Sequence, residues 1–226
     1  MSSLFLANEL LDLIVGHLDA DSPADRRALL SCALVNNALR MMTRPQVFRR
    51  VKISYEPSTK QTVFTDSKFA TGAEFLDIIT NNPLIAGLVK ELVIEVVLLG
   101  VSGSIDICSD NEMFSLYRIT HQLAKLQKFS IASSSDIFLW EDTEKTTQLF
   151  LYEIASRVRS LDVSIFKDFP LSAFLNAKKL RTLRVQNLDW NIVGSRHYTN
   201  PKVELESLDI GYGWRFLDMG MKKCQI

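Results

Sequence analysis

Three histidines, three cysteines and a few clusters of carboxylates are the groups in this 226-residue chain that could carry out catalysis or hold a metal. Their spacing argues against both. His17, His121 and His197 stand far apart, with no His-Glu-x-x-His arrangement to place two imidazoles on one helix face for zinc, so each reads as a surface or helix-face residue. Cys32, Cys108 and Cys224 form no close pair of metal-ligand type, and any intramolecular disulfide would leave one thiol over. Asp106, Asp110 and Glu112 are close together but lack the glycine and spacing of a calcium loop, which makes them a solvated loop. Leu99-Gly100-Val101-Ser102-Gly103-Ser104 has glycines but no lysine to reach a phosphate, and reads as a turn. Arg40, Arg44, Arg49, Arg50 and Lys52 cluster without interleaved aromatics. No catalytic residue, metal ligand or cofactor is assigned, and the chain is expected to act by binding rather than as an enzyme.

Composition narrows the partners. The 26 basic and 26 acidic residues cancel, so the global charge gives no reason to expect nucleic acid or an anionic membrane surface. At 47% hydrophobic the chain can bury a core, as one large or two small domains. Odd cysteine usage and the lack of an Asn-x-Ser/Thr sequon favour a reducing compartment, hence cytoplasm or nucleus. The N-terminus has no basic region ahead of its apolar residues and does not read as a signal peptide. No apolar run approaches the roughly 18 residues of a membrane span.

The elements that would carry a binding surface begin at the N-terminus. Leu6, Leu10, Ile14 and Leu18 recur every four residues, with Leu11 and Val15 widening the stripe, and predict an amphipathic first helix whose face needs a partner. Residues 19–25 close it, and Ser22 with Pro23 forms a cap and first turn for a second helix carrying Leu29, Leu30, Ala33 and Leu34. Asn36 and Asn37 are weak helix formers and predict a break before Leu39 to Met42; Pro45 marks another boundary. From Val51 to Ile53 the period becomes strand-like. Residues 1–50 thus form a small helical module, a size at which a core alone is marginal.

Leu6-Ala7-Asn8-Glu9-Leu10-Leu11, with Ile14 and Leu18, resembles the opening of an F-box, whose usual form is Leu-Pro-x-Glu-Leu-Leu followed by Ile and Leu at these spacings. Cys32-Ala33-Leu34-Val35 is similar to the Cys-x-Leu-Val core of that motif, and residues 44–51 (RPQVFRRV) to the segment that ends it in many fungal F-box proteins. The resemblance implies docking on a Skp-family adaptor, and through it a cullin, with Leu6, Glu9, Leu10, Ile14, Leu34 and Val35 as the adaptor contacts. Ala7 stands where the family has proline. Alanine gives up proline's preset backbone angle but is an excellent helix former, so the departure bears on adaptor affinity rather than on fold.

A second pattern occupies residues 51–226. After a polar loop at 55–68 and a helix with Thr71 as cap and Phe75, Leu76, Ile78 and Ile79 as its apolar face, the motif apolar-x-x-apolar-x-apolar occurs five times. The copies are Val89/Leu92/Ile94, Leu126/Phe129/Ile131, Val158/Leu161/Val163, Leu180/Leu183/Val185 and Leu205/Leu208/Ile210. Their centres advance by 37, 32, 22 and 25 residues, so the last two intervals resemble the period of leucine-rich repeats and the first two the same unit with insertions. Between copies, Met113, Leu116, Ile119 and Leu123 follow helical spacing, as do Leu149, Leu151, Tyr152 and Ile154 to Val158, and Pro170 opens a shorter helical piece. The expectation is an α/β fold in which the helical module precedes a leucine-rich-repeat-like solenoid with a parallel sheet. The solenoid reads as truncated at its C-terminus.

Strand alternation puts the anchors on one face and polar residues on the other. Glu95, Lys128, Asp162, Arg184 and Asp209 fall on that second face, the face that binds partners in leucine-rich repeat proteins; simple solvated strand positions are the alternative. Trp190 and Trp214, just past their strands, are candidates for its loop rim; Trp140 shares that option, and buried packing is the alternative for all three. Together these readings point to a substrate receptor of an SCF-type ubiquitin ligase, holding an unknown protein substrate on the repeats. The alternative is a repeat-based interaction protein that enters no ligase.

Overall fold

A computed structural model of the chain describes residues 8–19, 22–55, 72–96, 110–133, 138–170, 177–186, 188–189 and 205–210. Three helices come first: α1 (Asn8–His17), α2 (Pro23–Val35) and α3 (Asn37–Val47). Ser22 caps α2, its hydroxyl accepting from the Asp25 N–H at 3.5 Å, with Pro23 in the first turn where its missing N–H costs nothing. The break between α2 and α3 is a single residue. Asn36 is extended, and its Oδ1 accepts the Leu39 N–H at 2.8 Å, so the weak helix former becomes the cap of α3.

Pro45 is a correction, since it lies inside the last turn of α3 and the helix runs on to Val47. Phe48 then closes the helix by donating to the Arg44 carbonyl at 3.0 Å. The stripe on α1 also divides differently from its sequence spacing. Val15 is buried at 2% exposure with Leu11 and Leu18 half-buried beside it, whereas Leu10 and Ile14 face solvent. Leu11, Val15 and Leu18 follow i, i+4, i+7, so the inward face is the one that the widening residues begin. Both α1 and α2 pack on α3, around Val15, Leu29 and Thr43.

A six-stranded sheet follows, with order β1 (Arg50–Tyr55), β2 (Glu91–Val96), β3 (Lys128–Ser133), β5 (Ser160–Val163), β8 (Thr182–Val185), β10 (Ser207–Ile210). Every pairing is parallel, and each new strand is laid beside the one before it in chain order. All five sequence copies become strands of this sheet, with β1 ahead of them. Helices α4 (Gly72–Asn81) and α5 (Pro83–Ala86) cross from β1 to β2, α6 (Asp110–Gln122) from β2 to β3, and α7 (Lys145–Arg157) from β3 to β5. Thr71, the proposed cap of α4, lies outside the described residues.

The register stacks like on like. Val51, Leu92, Phe129, Leu161, Leu183 and Leu208 form one inward row, and Ile53 and Ile94 begin the next. These rows join Phe75 and Ile79 of α4, Leu116 and Ile119 of α6, and Phe150 and Ile154 of α7 in one continuous core. Phe150 makes edge-to-face contacts with Tyr117 and Phe129 at 5.0 and 5.7 Å, tying α6, α7 and β3 together. The inward face of α7 is Phe150, Leu151, Ile154 and Ala155; Leu149, assigned to it from spacing, is 54% exposed.

Short parallel pairs sit beyond the ends of the long strands. β4 (Phe138–Leu139) pairs with β6 (Phe166–Lys167), and β7 (Phe169–Pro170) with β9 (Leu188–Asp189). Pro170 therefore belongs to a strand, and the helical piece expected after it lies outside the described residues. Proline suits such a marginal position because the pairing there is brief. Between β6 and β7, Asp168 takes φ 59°, a left-handed conformation that breaks the two-residue period and lets Phe166 and Phe169 both turn inward. They meet Trp140, whose ring lies 5.5 Å from Phe166 and 4.4 Å from Phe169. Trp140 is thus core packing, 8% exposed, and not part of a rim.

Candidate functional site

Parallel sheets are ordinarily covered on both faces. Here the described helices supply one covering, and the opposite face carries the residues that alternate with the anchors. Its first row runs Arg50, Glu91, Lys128, Ser160, Thr182, Ser207 and its second Lys52, Val93, Ser130, Asp162, Arg184, Asp209. Charges alternate in sign across neighbouring strands, which converts the rows into ion-paired ladders. Glu91 lies 3.4 Å from Arg50 and 3.6 Å from Lys128. Lys52 Nζ is 2.7 Å from Glu95, which also accepts from the Ser54 hydroxyl at 2.9 Å.

A second group forms at the other end. Arg184 lies 2.8 Å from Asp209 and 3.7 Å from Asp162, whose Oδ1 also accepts the Ser164 N–H at 3.1 Å. Ser130 and Ser160 lie between Lys128 of the first group and Asp162 of the second, a neutral pair where the two groups meet. Of the sequence-derived face residues, Glu95 and Lys128 enter the first group and Asp162, Arg184 and Asp209 the second. Val93 shares this face yet is only 5% exposed, with Lys52 beside it in register; long charged stems cover apolar sheet surface in this way. Trp190 and Trp214 lie outside the described residues.

Burial raises the Glu95 pKa, but the hydrogen bonds from Lys52 and Ser54 and the Lys52 charge outweigh it and leave the carboxyl below its ordinary value. Glu95 is therefore a committed carboxylate. His121 sits on the outer side of α6 with Nε2 3.1 Å from Glu153, and the Arg157 guanidinium is 3.4 Å from the same oxygen. His197, Asp106, Cys108 and Cys224 fall outside the described residues. Among those described, no cluster of His, Cys, Asp and Glu could hold a metal, and no helix is long and apolar enough to cross a membrane.

The second surface is on the helical module. Leu10 and Ile14 are both 51% exposed and lie one turn apart on α1, with Leu13 on the same side at 60%. Leu34 and Val35, at the end of α2, are 81% and 70% exposed, and Glu9 is exposed in the first turn of α1. Leu6 lies outside the described residues. Five of the six residues that the resemblance assigns to an adaptor are thus exposed, on two helices that share α3 as their support. Leu13 and Met41 are exposed as well, and the outward face through 10, 13 and 14 includes the first.

One column of residues escaped sequence reasoning entirely. Strict alternation allows one residue between inward anchors, but the motif has two between its first and second. The backbone explains the extra one. The Arg49 carbonyl accepts from both Lys90 and Glu91, the Lys90 carbonyl from Gln127 and Lys128, and the Gln127 carbonyl from Arg159 and Ser160. Arg159 and Arg181 repeat this toward β8 and β10, all at 2.7 to 3.1 Å. Two residues opposing one is the count of a β-bulge, which re-aims the extra side chain. Lys90, Gln127, Arg159, Arg181 and Glu206 are thereby turned out along the edge where the strands begin, and Val89, Leu126, Val158 and Leu180 are returned to the core.

Comparison of the chain with protein-family models gives no match, and comparison with curated proteins gives none either.

Proposed function

We propose that the chain is a substrate-recognition receptor of an SCF-type cullin-RING ubiquitin ligase. Its N-terminal helices dock a Skp-family adaptor, and its sheet, as a leucine-rich-repeat-like solenoid, holds a protein substrate. The observation that carries the reading is the exposure of Leu10, Ile14, Leu34 and Val35, the positions that the F-box resemblance assigns to the adaptor. Fully burying each such side chain is worth about 1.5–3 kcal/mol, so a small module that leaves them in water has a partner's worth of apolar surface to offer. The one-way strand order, uniform register and repeated bulge support the solenoid part of the reading. The receptor contributes proximity, holding substrate near the ligase's catalytic partner.

Leu10→Glu combined with Ile14→Glu tests it. Both positions are half-exposed, so the variant folds, and the expected result is loss of co-purification with adaptor and cullin. Retention of both by the folded variant overturns the proposal. Ala7, in place of the motif proline, favours the second reading, an interaction protein outside any ligase. Under it, deleting residues 1–50 leaves the set of bound partners unchanged.

A further inference from the structure

The bulge column carries more charge of one sign than its neutral chain would give by chance. Arg49, Lys90, Arg159 and Arg181 stand at successive turns of it, interrupted by Gln127 and ended by Glu206. Lys125, Lys128, Lys178 and Lys179 flank the same edge, all exposed. Against them stand Glu91, held by Arg50 and Lys128, and Glu206, 3.8 Å from Arg181. Among the described residues no carboxylate lies within ion-pair distance of Arg49, Lys90, Lys125, Arg159, Lys178 or Lys179. On the sheet face, in contrast, every charged residue described is already paired.

We infer that this edge is a docking track for an extended, Asp/Glu-rich segment of a partner protein. Adjacent strands lie about 4.8 Å apart, so the column from β1 to β8 spans roughly 19 Å, the reach of about six residues of extended chain. A peptide crossing it presents a carboxylate to a cation at almost every strand, and Glu206 closes the far end by repelling it. Nucleic acid fits less well, because the described exposed residues of the edge include no aromatic on which a base could stack. The helices that end at this edge also favour nearby cations through their carbonyl ends, which is a contribution to stability and separable from binding. The inference is independent of the adaptor reading, since α1–α3 take no part in it.

The test is fluorescence anisotropy of a labelled ten-residue Asp/Glu peptide against the full chain at low and at physiological salt. Neutralising Lys90, Arg159 and Lys179 together to Gln removes three exposed pairs, each about 1.5- to 5-fold in affinity, and should weaken binding roughly 3- to 100-fold. Neutralising Lys145, Lys167 and Arg118, which are exposed elsewhere, should change it less than twofold. A triple Glu reversal at the edge should instead bind a Lys-rich peptide. Absence of peptide binding at low salt, or equal losses in both neutralised variants, overturns the inference. So does a duplex DNA or an anionic vesicle that binds the same edge more tightly than the peptide.

Discussion

Leu29→Ala should unfold the helical module and leave the sheet intact. Leu29 is fully buried, yet neither it nor Val15 belongs to the continuous core that runs from Val51 to Val185. The module therefore has a nucleus of its own, and Phe48, half-buried against the main core, is where the two meet. A buried Leu→Ala change costs about 2–5 kcal/mol. A module of about fifty residues has only about 3–5 kcal/mol from its own core, so the substitution takes most or all of that. Hydrogen exchange followed by mass spectrometry reads the result by segment. Amides of α1 to α3 should exchange at least about thirtyfold faster, as 2 kcal/mol dictates, while amides of β2, β3 and β5 stay protected. On the adaptor reading, adaptor at a hundred times its Kd returns about 2.7 kcal/mol to the module alone. Equal loss of protection in both segments, or none in either, would refute the separation of the two nuclei.

Three smaller perturbations probe the surface. Because the folded pKa of Glu95 is lowered, its stabilisation is present above the ordinary 4.5 and disappears as pH falls through the folded value. The difference in urea midpoint between wild type and Glu95→Gln should accordingly shrink between pH 6 and pH 3, and a constant difference would count against the pairing. Arg184→Ala should cost no more than about 1 kcal/mol, because its partners are on the surface, and the cost should vanish in 1 M NaCl. Asp168→Val should melt below Asp168→Gly by about 2–8 °C, the equivalent of 1–2 kcal/mol for a β-branched residue at positive φ. Both variants lose the carboxylate, so the comparison isolates the backbone.

The parts of the fold that sequence made legible are those where one period governs many residues. Five strands were readable because each puts two anchors two residues apart, and the register then stacks Leu92 on Phe129 and Leu161. Ser22 and Pro23 were readable because capping is local chemistry. The strand at Pro170 was not, because proline's fixed φ suits a helix start and a brief strand alike, and the pairing with Asp189 is a tertiary fact. Leu149 misled for a related reason: in Gln148-Leu149-Phe150-Leu151 three adjacent apolar residues fit several helical faces, and only packing against Tyr117 and Phe129 selects Phe150. On α1 the inward and outward faces are both apolar, which periodicity alone cannot rank.

If the face and the edge of the sheet both bind a partner, as proposed, they divide that work by how their charges are already spent. On the face, Glu95, Lys128, Asp162, Arg184 and Asp209 each have a partner within 4 Å, so an incoming charged group must break a pair to make one. Such exchange returns little affinity, and the face is suited to selecting shape and hydrogen bonds around the neutral pair of Ser130 and Ser160. Along the edge, Lys90, Arg159 and Lys179 have no such prior commitment among the described residues, and their field adds up along the column. Unpaired charges of one sign accelerate encounter more than they tighten the final complex. A partner held by both surfaces should then lose association rate when the edge is neutralised, and lose residence time when Ser130 or Ser160 is enlarged. Stopped-flow association and dissociation rates on the two sets of variants separate these contributions, and a change confined to dissociation in both would contradict the division.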